Sequence, residues 1–194
     1  MIIKTPSRLH LTLIDLNGRY GRIDGGVGVT TRSPRLVLEA SAGHDETQIE
    51  FTEINIPRDI KDDYREKISS AASKICEYLD LDEGYLFKVR EVFPSHSGLG
   101  SGTQLSLAAA KLILKMNDQD LPAPRIGEIV GRGGTSGIGV ASFERGGFIV
   151  DSGHKKTIKK DFLPSSASEA SPPPVIARYD FPSDWKIILA IPHV

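Results

Sequence analysis

One cysteine among 194 residues leaves Cys76 without an internal disulfide partner, which fits a reducing compartment. The surrounding pattern is an amphipathic helix, on which a buried, inert thiol is expected. Neither sign of charge predominates, because 24 Lys and Arg face 25 Asp and Glu for a net charge of −1. No global basic field recruits nucleic acid or anionic lipid, and neither is expected as a partner. Long apolar runs are missing too. None approaches the ~20 residues that span a bilayer, and MIIKTPSRLHL lacks the apolar centre of a secretion signal. A cytoplasmic protein is therefore expected. Among the histidines, His44, His154 and His193 show no metal-ligand spacing. No Gly-Lys pair occurs, which excludes a Walker phosphate loop, and no G-x-S-x-G elbow occurs, which argues against Ser101 as a hydrolase nucleophile.

What is present is ordinary globular composition, 39% hydrophobic and 25% charged, over a length that suits one domain or one plus part of a second. Arg8 to Leu16 alternates, with Leu9, Leu11 and Leu13 on one side and Arg8, His10 and Thr12 on the other, which is the period of a half-buried strand. Asn17-Gly18 and RIDGGVG read as turns. Arg35 to Ala40 and Gln48 to Ile56 read as strands. Tyr64 to Leu79 switches to helical period, through Tyr64, Ile68, Ala71, Ala72, Ile75 and Leu79. Tyr85 to Phe93 reads as a strand, Gln104 to Met116 as a buried helix, and Arg125 to Val130 as a short helix closed by the GRGGTSGIG loop. Gly146 to Asp151 reads as a strand, and KKTIKK as a solvated strand edge. SSASEASPPP, residues 165–174, has the composition of a linker. Val175 to Phe181 and Lys186 to Ile191 read as strands beyond it. Strands dominate early and helices follow, so the fold class is α+β. The apolar WKIILAIPHV reads as a strand of a chain that continues, or of a small second unit.

The segment richest in chemistry is PSHSGLGSGTQ, directly ahead of the apolar LSLAAAKLILKM. A strand, a glycine-rich loop and a helix together suit anion binding, because first-turn N–H groups are free and the helix dipole is positive there. Gly98, Gly100 and Gly102 would let a phosphate reach the backbone, with Leu99 between them. Ser97, Ser101 and Thr103 would add hydroxyl donors or a metal-ligand oxygen. A simple helix cap built from small residues is the competing reading.

The wider pattern, P-x-x-x-G-L-G-S-G-T before an apolar helix, resembles the phosphate loop of the GHMP superfamily. Pro6-Ser7-Arg8-Leu9 resembles that superfamily's early P-x-[KR]-hydrophobic segment, and GTSGIGVASFERGGFIVD resembles its S-G-[IL]-D turn and following strand. The kinases carry an aspartate after S-G-[IL], where this chain has Gly139, so the base that would deprotonate an alcohol is missing. Asp15, Asp24 and Asp151 are the carboxylates available to replace it. SRLHLTLIDLNGRYGRIDGGVGV, HSGLGSGTQ and GRGGTSGIGVASFERGGFIVDSG are similar to the β-ribofuranosylaminobenzene 5′-phosphate synthases of that superfamily.

This resemblance implies a GHMP-type α+β fold. Residues 1–164 would form a domain like the second domain of ribosomal protein S5, residues 165–174 a linker, and 175–194 the first strands of a ferredoxin-like C-terminal domain. It implies an enzyme of methanopterin biosynthesis. Phosphoribosyl pyrophosphate would condense with 4-aminobenzoate or 4-hydroxybenzoate, releasing CO2 and pyrophosphate. Magnesium is the expected ion, because it binds phosphate oxygens with few protein ligands. Residues 97–103 would bind pyrophosphate, with Ser101 and Thr103 near the metal. Arg8, His10 and Asp24 would carry catalytic roles, while His96, Arg22 and Ser136 would contact substrate. Two alternatives remain open on sequence, an ATP-dependent kinase with a displaced carboxylate and a non-catalytic nucleotide-binding module. A homodimer is the commonest assembly for such a protein.

Overall fold

A computed structural model describes residues 1–53, 55–93, 97–161, 168 and 170–191. Its elements, in chain order, are β1 (Ile2–Ile14), β2 (Arg22–Ile23), β3 (Gly25–His44), β4 (Gln48–Phe51), α1 (Arg58–Leu79), β5 (Gly84–Glu91), α2 (Ser101–Met116), α3 (Ala123–Val130), α4 (Ile138–Glu144), β6 (Phe148–Asp151), β7 (His154–Lys155) and β8 (Val175–Tyr179). Strand β3 organises the sheet. β1 runs antiparallel along one edge, from Ile2↔Glu39 to Ile14↔Gly25. The other edge is shared by β5, against Val37–His44, and by β6, against Val27–Val29. β4 adds parallel to β5, β8 adds antiparallel to β6, and β2 and β7 form a separate ribbon. The fold class is α+β, as composition and element order predict.

Helix α1 presents Tyr64, Ile68, Ala71, Ala72 and Ile75 inward, at the spacing read from sequence, and stops at Asp80 in left-handed conformation. Helix α2 is buried from Gln104 to Ala110 and again from Leu112 to Leu114. Such all-round apolarity belongs to a helix enclosed by neighbours, here α1, the sheet and α3. The alanines at 108–110 allow that close approach.

Four sequence readings need correction. Alternation in β1 breaks at an irregularity between His10 and Thr12, so Leu11 is 56% exposed while Leu9 packs on the core. The glycines of RIDGGVG lie mostly inside β3 rather than in a turn. A side chain at Gly28 would collide with Ile138 and the Leu9 carbonyl, so glycine is there to let α4 approach the sheet. Lys186–Ile191 forms no strand. The KKTIKK segment is not wholly solvated, since Lys159 is 4% exposed.

The described part of the proline-rich stretch is docked. Ser168 donates to the Gly134 carbonyl at 2.6 Å, and the Ser152 amide donates to the Pro174 carbonyl at 3.0 Å. The strand that follows, β8, extends the same sheet. Among the described residues, no helix is long and apolar enough to cross a membrane.

Candidate anion-binding cleft

The loop before α2 is held from two directions. Leu99 inserts into the core at 3% exposure, and its carbonyl accepts from the Arg8 amide at 3.0 Å. The Arg8 guanidinium donates to the Gly98 carbonyl. Gly98 (φ 77°) and Gly100 (φ 83°) both adopt left-handed backbone, which glycine takes without penalty. Gly100 is the N-cap of α2, and among the described residues no side chain caps that helix. The Gln104 amide closes the first turn onto the Gly100 carbonyl at 3.2 Å. This leaves the amides of Ser101, Gly102 and Thr103 as the uncapped first-turn donors. They border a cleft of about 610 Å³ whose other walls are α1 and Val130–Arg132.

Cations flank these amides. A Cβ built on Gly100 would lie 3.1–3.3 Å from Cγ, Nε and Cζ of Arg8, and one on Gly102 would lie 3.2 and 3.4 Å from Cε and Nζ of Lys67. Lys67 is paired with Asp63 across one helical turn. Lys74 and Arg132 stand further along the cleft, and Glu66 accompanies Asp63 on the acidic side. The lining thus carries four cations against two carboxylates. Burial lowers the Arg8 guanidinium from its ordinary pKa, and burial does the same at Arg132, against the opposing pull of Asp63 and Glu66. Both stay charged at neutral pH. The lowered values express the cost of dehydrating them, which a bound anion would offset.

His10 shares the Arg8 side of β1 and pairs opposite Gly28. Its Nε2 is buried with no hydrogen-bond partner among the described residues, and the same is true of Arg8 Nε and Gln104 Oε1. Burial lowers the His10 pKa, and the Arg8 charge lowers it further, while Asp151 and the Thr12 backbone act in the opposite direction. A histidine with a depressed folded pKa contributes stability that is present above its unfolded value, about 6.5, and is lost as pH falls towards the folded value. Replacing His10 with Gln is therefore expected to flatten the decline of melting temperature on acidification below about pH 6.5. Parallel curves for the two proteins would contradict this assignment.

Several sequence candidates lie elsewhere. Asp24 is 0% exposed and spends both carboxylate oxygens on structure, one facing His154 Nδ1 at 2.7 Å and the other accepting from Lys159 Nζ. It presents no oxygen to ribose or metal. Arg22 donates to the Ser152 and Gly153 carbonyls at 2.7 and 2.6 Å, which ties the β2–β7 ribbon and takes it away from the cleft. Ser136 donates to Asp151 at 3.0 Å inside the S-G-I-G turn. His96 falls outside the described residues. Ser97 is half-buried, Ser101 is 8% exposed, and Thr103 lies against Gly139, 3.2–3.5 Å from a Cβ built there. Asp63, Glu66, Lys67, Lys74 and Arg132 complete the cleft and were not singled out from sequence. Asp63, Glu66, Lys67 and Lys74 lie on α1, and Arg132 follows α3.

The three carboxylates available in place of the kinase aspartate each hold groups of the fold. Asp151, 1% exposed, accepts from the amides of Gly26 and Gly153 on one oxygen, and from the Gly137 amide and Ser136 hydroxyl on the other, at 2.9–3.0 Å. Asp15 caps its own loop through the amides of Arg19 and Tyr20. Asp24 is paired as described. Among the described residues there is no group of three or more His, Cys, Asp or Glu side chains able to hold a metal. The donor set at the cleft, hydroxyls at Ser101 and Thr103 with two carboxylates opposite, suits an ion bound mainly through phosphate oxygens.

These features, a β3-centred α+β sheet and a glycine loop opening a buried helix, define a GHMP-type N-terminal fold, and comparison with known proteins bears this out. The family model described as the GHMP kinases N terminal domain matches residues 66–147. Solved structures with the same fold include Methanococcus jannaschii mevalonate kinase (TM-score 0.59, 18% identity, 77% of this chain and 52% of that one). Streptococcus pneumoniae phosphomevalonate kinase is another, with TM-score 0.56 and 12% identity over 77% of this chain and 49% of that one. At such identities they speak for fold alone.

The chain is similar over essentially its whole length to proteins named beta-ribofuranosylphenol 5′-phosphate synthase. It is 58% identical to the synthase of that name from Methanothermobacter thermautotrophicus over 100% of this chain and 58% of that protein. Identity to the Methanocaldococcus jannaschii and Archaeoglobus fulgidus proteins of the same name is 48% and 49%, over 99% of this chain and 60% and 57% of theirs. The chain thus spans somewhat over half the length of the curated relatives it matches.

Proposed function

We propose that the cleft binds the diphosphate of phosphoribosyl pyrophosphate and that the protein transfers the ribosyl 5-phosphate to an aromatic acid. The observation that carries this reading is the glycine at position 139, with Asp24 and Asp151 buried and turned onto groups of the fold. A kinase must deprotonate an alcohol as it attacks phosphorus, and glycine at the position of the family's aspartate offers no group for it. The proposed transfer needs no such base. The bond from ribose C1 to the diphosphate oxygen breaks, and C1 bonds to the ring carbon that bears the carboxylate. That carbon has no proton to lose; CO2 departs and its bonding electron pair restores the ring. What the reaction requires is stabilisation of the departing diphosphate, which uncapped amides flanked by Arg8 and Lys67 supply.

Magnesium would neutralise charge on the leaving diphosphate, bound through phosphate oxygens with help from the Ser101 or Thr103 hydroxyl. The relatives' name specifies a phenol, which favours 4-hydroxybenzoate over 4-aminobenzoate as acceptor, in a step of methanopterin biosynthesis. Carboxyl-labelled 4-hydroxybenzoate, phosphoribosyl pyrophosphate and magnesium should together yield labelled CO2 in step with pyrophosphate. Consumption of ATP on a small alcohol, without CO2 release, would refute the reading.

A further inference from the structure

Resting on that reading, we infer that Lys74 and Arg132 form a second anion subsite, which takes the 5-phosphate of the same sugar donor. Lys67 and Lys74 are seven residues apart on α1, a separation of about 10 Å along the axis with only about 20° of rotation between them. The first sits over Gly102 at the amide cradle, and the second over Gly131, its Nζ 3.2 Å from a Cβ built there. Both line one cleft.

Arg132 follows Gly131 in the chain, so its backbone lies beside Lys74, while its guanidinium also feels the charges of Asp63 and Glu66. Its Nε donates to Ser106 Oγ at 3.1 Å, which fixes the guanidinium plane, while its terminal nitrogens make no hydrogen bond among the described residues. Lys74 donates at 3.3 Å to the Val130 carbonyl and keeps two further donors. The pair is cationic and not consumed by the fold, with Arg132 half-buried and Lys74 exposed at the rim.

Two cationic stations two helical turns apart fit a ligand with anionic groups at both ends of a pentose. A nucleoside triphosphate fits less well. Its phosphates are contiguous and would gather at the cradle, leaving an uncharged nucleoside against Arg132 and Lys74. The far pair therefore selects phosphoribosyl pyrophosphate over both ATP and free pyrophosphate.

Calorimetric titration of the full chain with magnesium pyrophosphate and with phosphoribosyl pyrophosphate separates the two stations. Lys74→Met and Arg132→Met are each expected to weaken phosphoribosyl pyrophosphate about 10- to 100-fold and pyrophosphate less than about two-fold. Lys74 is exposed at the rim, so its replacement leaves the fold intact. Equal losses for both ligands, or no loss for phosphoribosyl pyrophosphate, overturn the second subsite while the cradle stands. Absence of binding by either ligand to the unaltered chain overturns the cradle, and the subsite with it.

Discussion

Gly102→Val should lower the affinity for magnesium pyrophosphate by on the order of 100-fold while leaving the protein folded. Gly102 lies in the first turn of α2 with no left-handed requirement, and the atoms a Cβ would meet are the far end of the flexible Lys67 side chain. Valine is the better helix former of the two, so folding stability should change by less than about 0.5 kcal/mol. Its branched side chain would cover the very amides the ligand needs and push the Lys67 ammonium aside. Gly100→Val is a poorer probe, because φ 83° and contact with Arg8 make it a folding defect as well. Denaturant midpoints and calorimetry on Gly102→Val distinguish the two readings of the loop. A mere helix cap would keep its anion affinity, if it had any.

The largest expected loss of stability comes from Asp24→Asn, about 3–5 kcal/mol, out of the 5–15 kcal/mol usual for a domain. Asparagine retains the shape and tolerates the left-handed backbone at φ 55°, so the substitution isolates the charge. Two acceptors become one weaker acceptor facing His154 and the ammonium of Lys159, both about 95% buried or more. The exposed, bidentate Arg35–Glu91 pair supplies the contrast, since water screens it and Arg35→Ala should have a far smaller effect on stability. Chemical denaturation of both variants provides the comparison. A cost at Asp24 no larger than at Arg35 would show the triad to be hydrated and the ribbon loosely held. None of the three residues lines the cleft, so pyrophosphate affinity of folded Asp24→Asn should be unaltered.

How far the sequence disclosed this depended on whether the signal was local. The i, i+4, i+7, i+8 spacing of α1 and the apolarity of α2 are properties of single segments, and both helices were read to their true ends at Leu79 and Met116, though α1 begins well before Tyr64. The glycine loop before α2 was legible for the same reason. Helix α4 was missed because it is seven residues long, starts inside a glycine-rich turn and contains Gly139. Leu11 was misplaced in β1, because the irregularity between His10 and Thr12 breaks the alternation there. Asp24 looked like a site residue because nothing in RIDGG announces a partner 130 or more residues away. The cationic wall was hidden by the same distance. Lys67 and Lys74 are ordinary surface lysines until α2 and the α3 terminus are laid beside them.

The central claim is that the amides of Ser101, Gly102 and Thr103 hold a diphosphate. Titrating magnesium pyrophosphate into ¹⁵N-labelled protein while following each amide proton by NMR tests it directly. The three resonances should move downfield together, with Gly102 among the largest displacements and one common saturation curve. Saturable binding that leaves these three amides in place, and moves resonances elsewhere instead, would contradict the account.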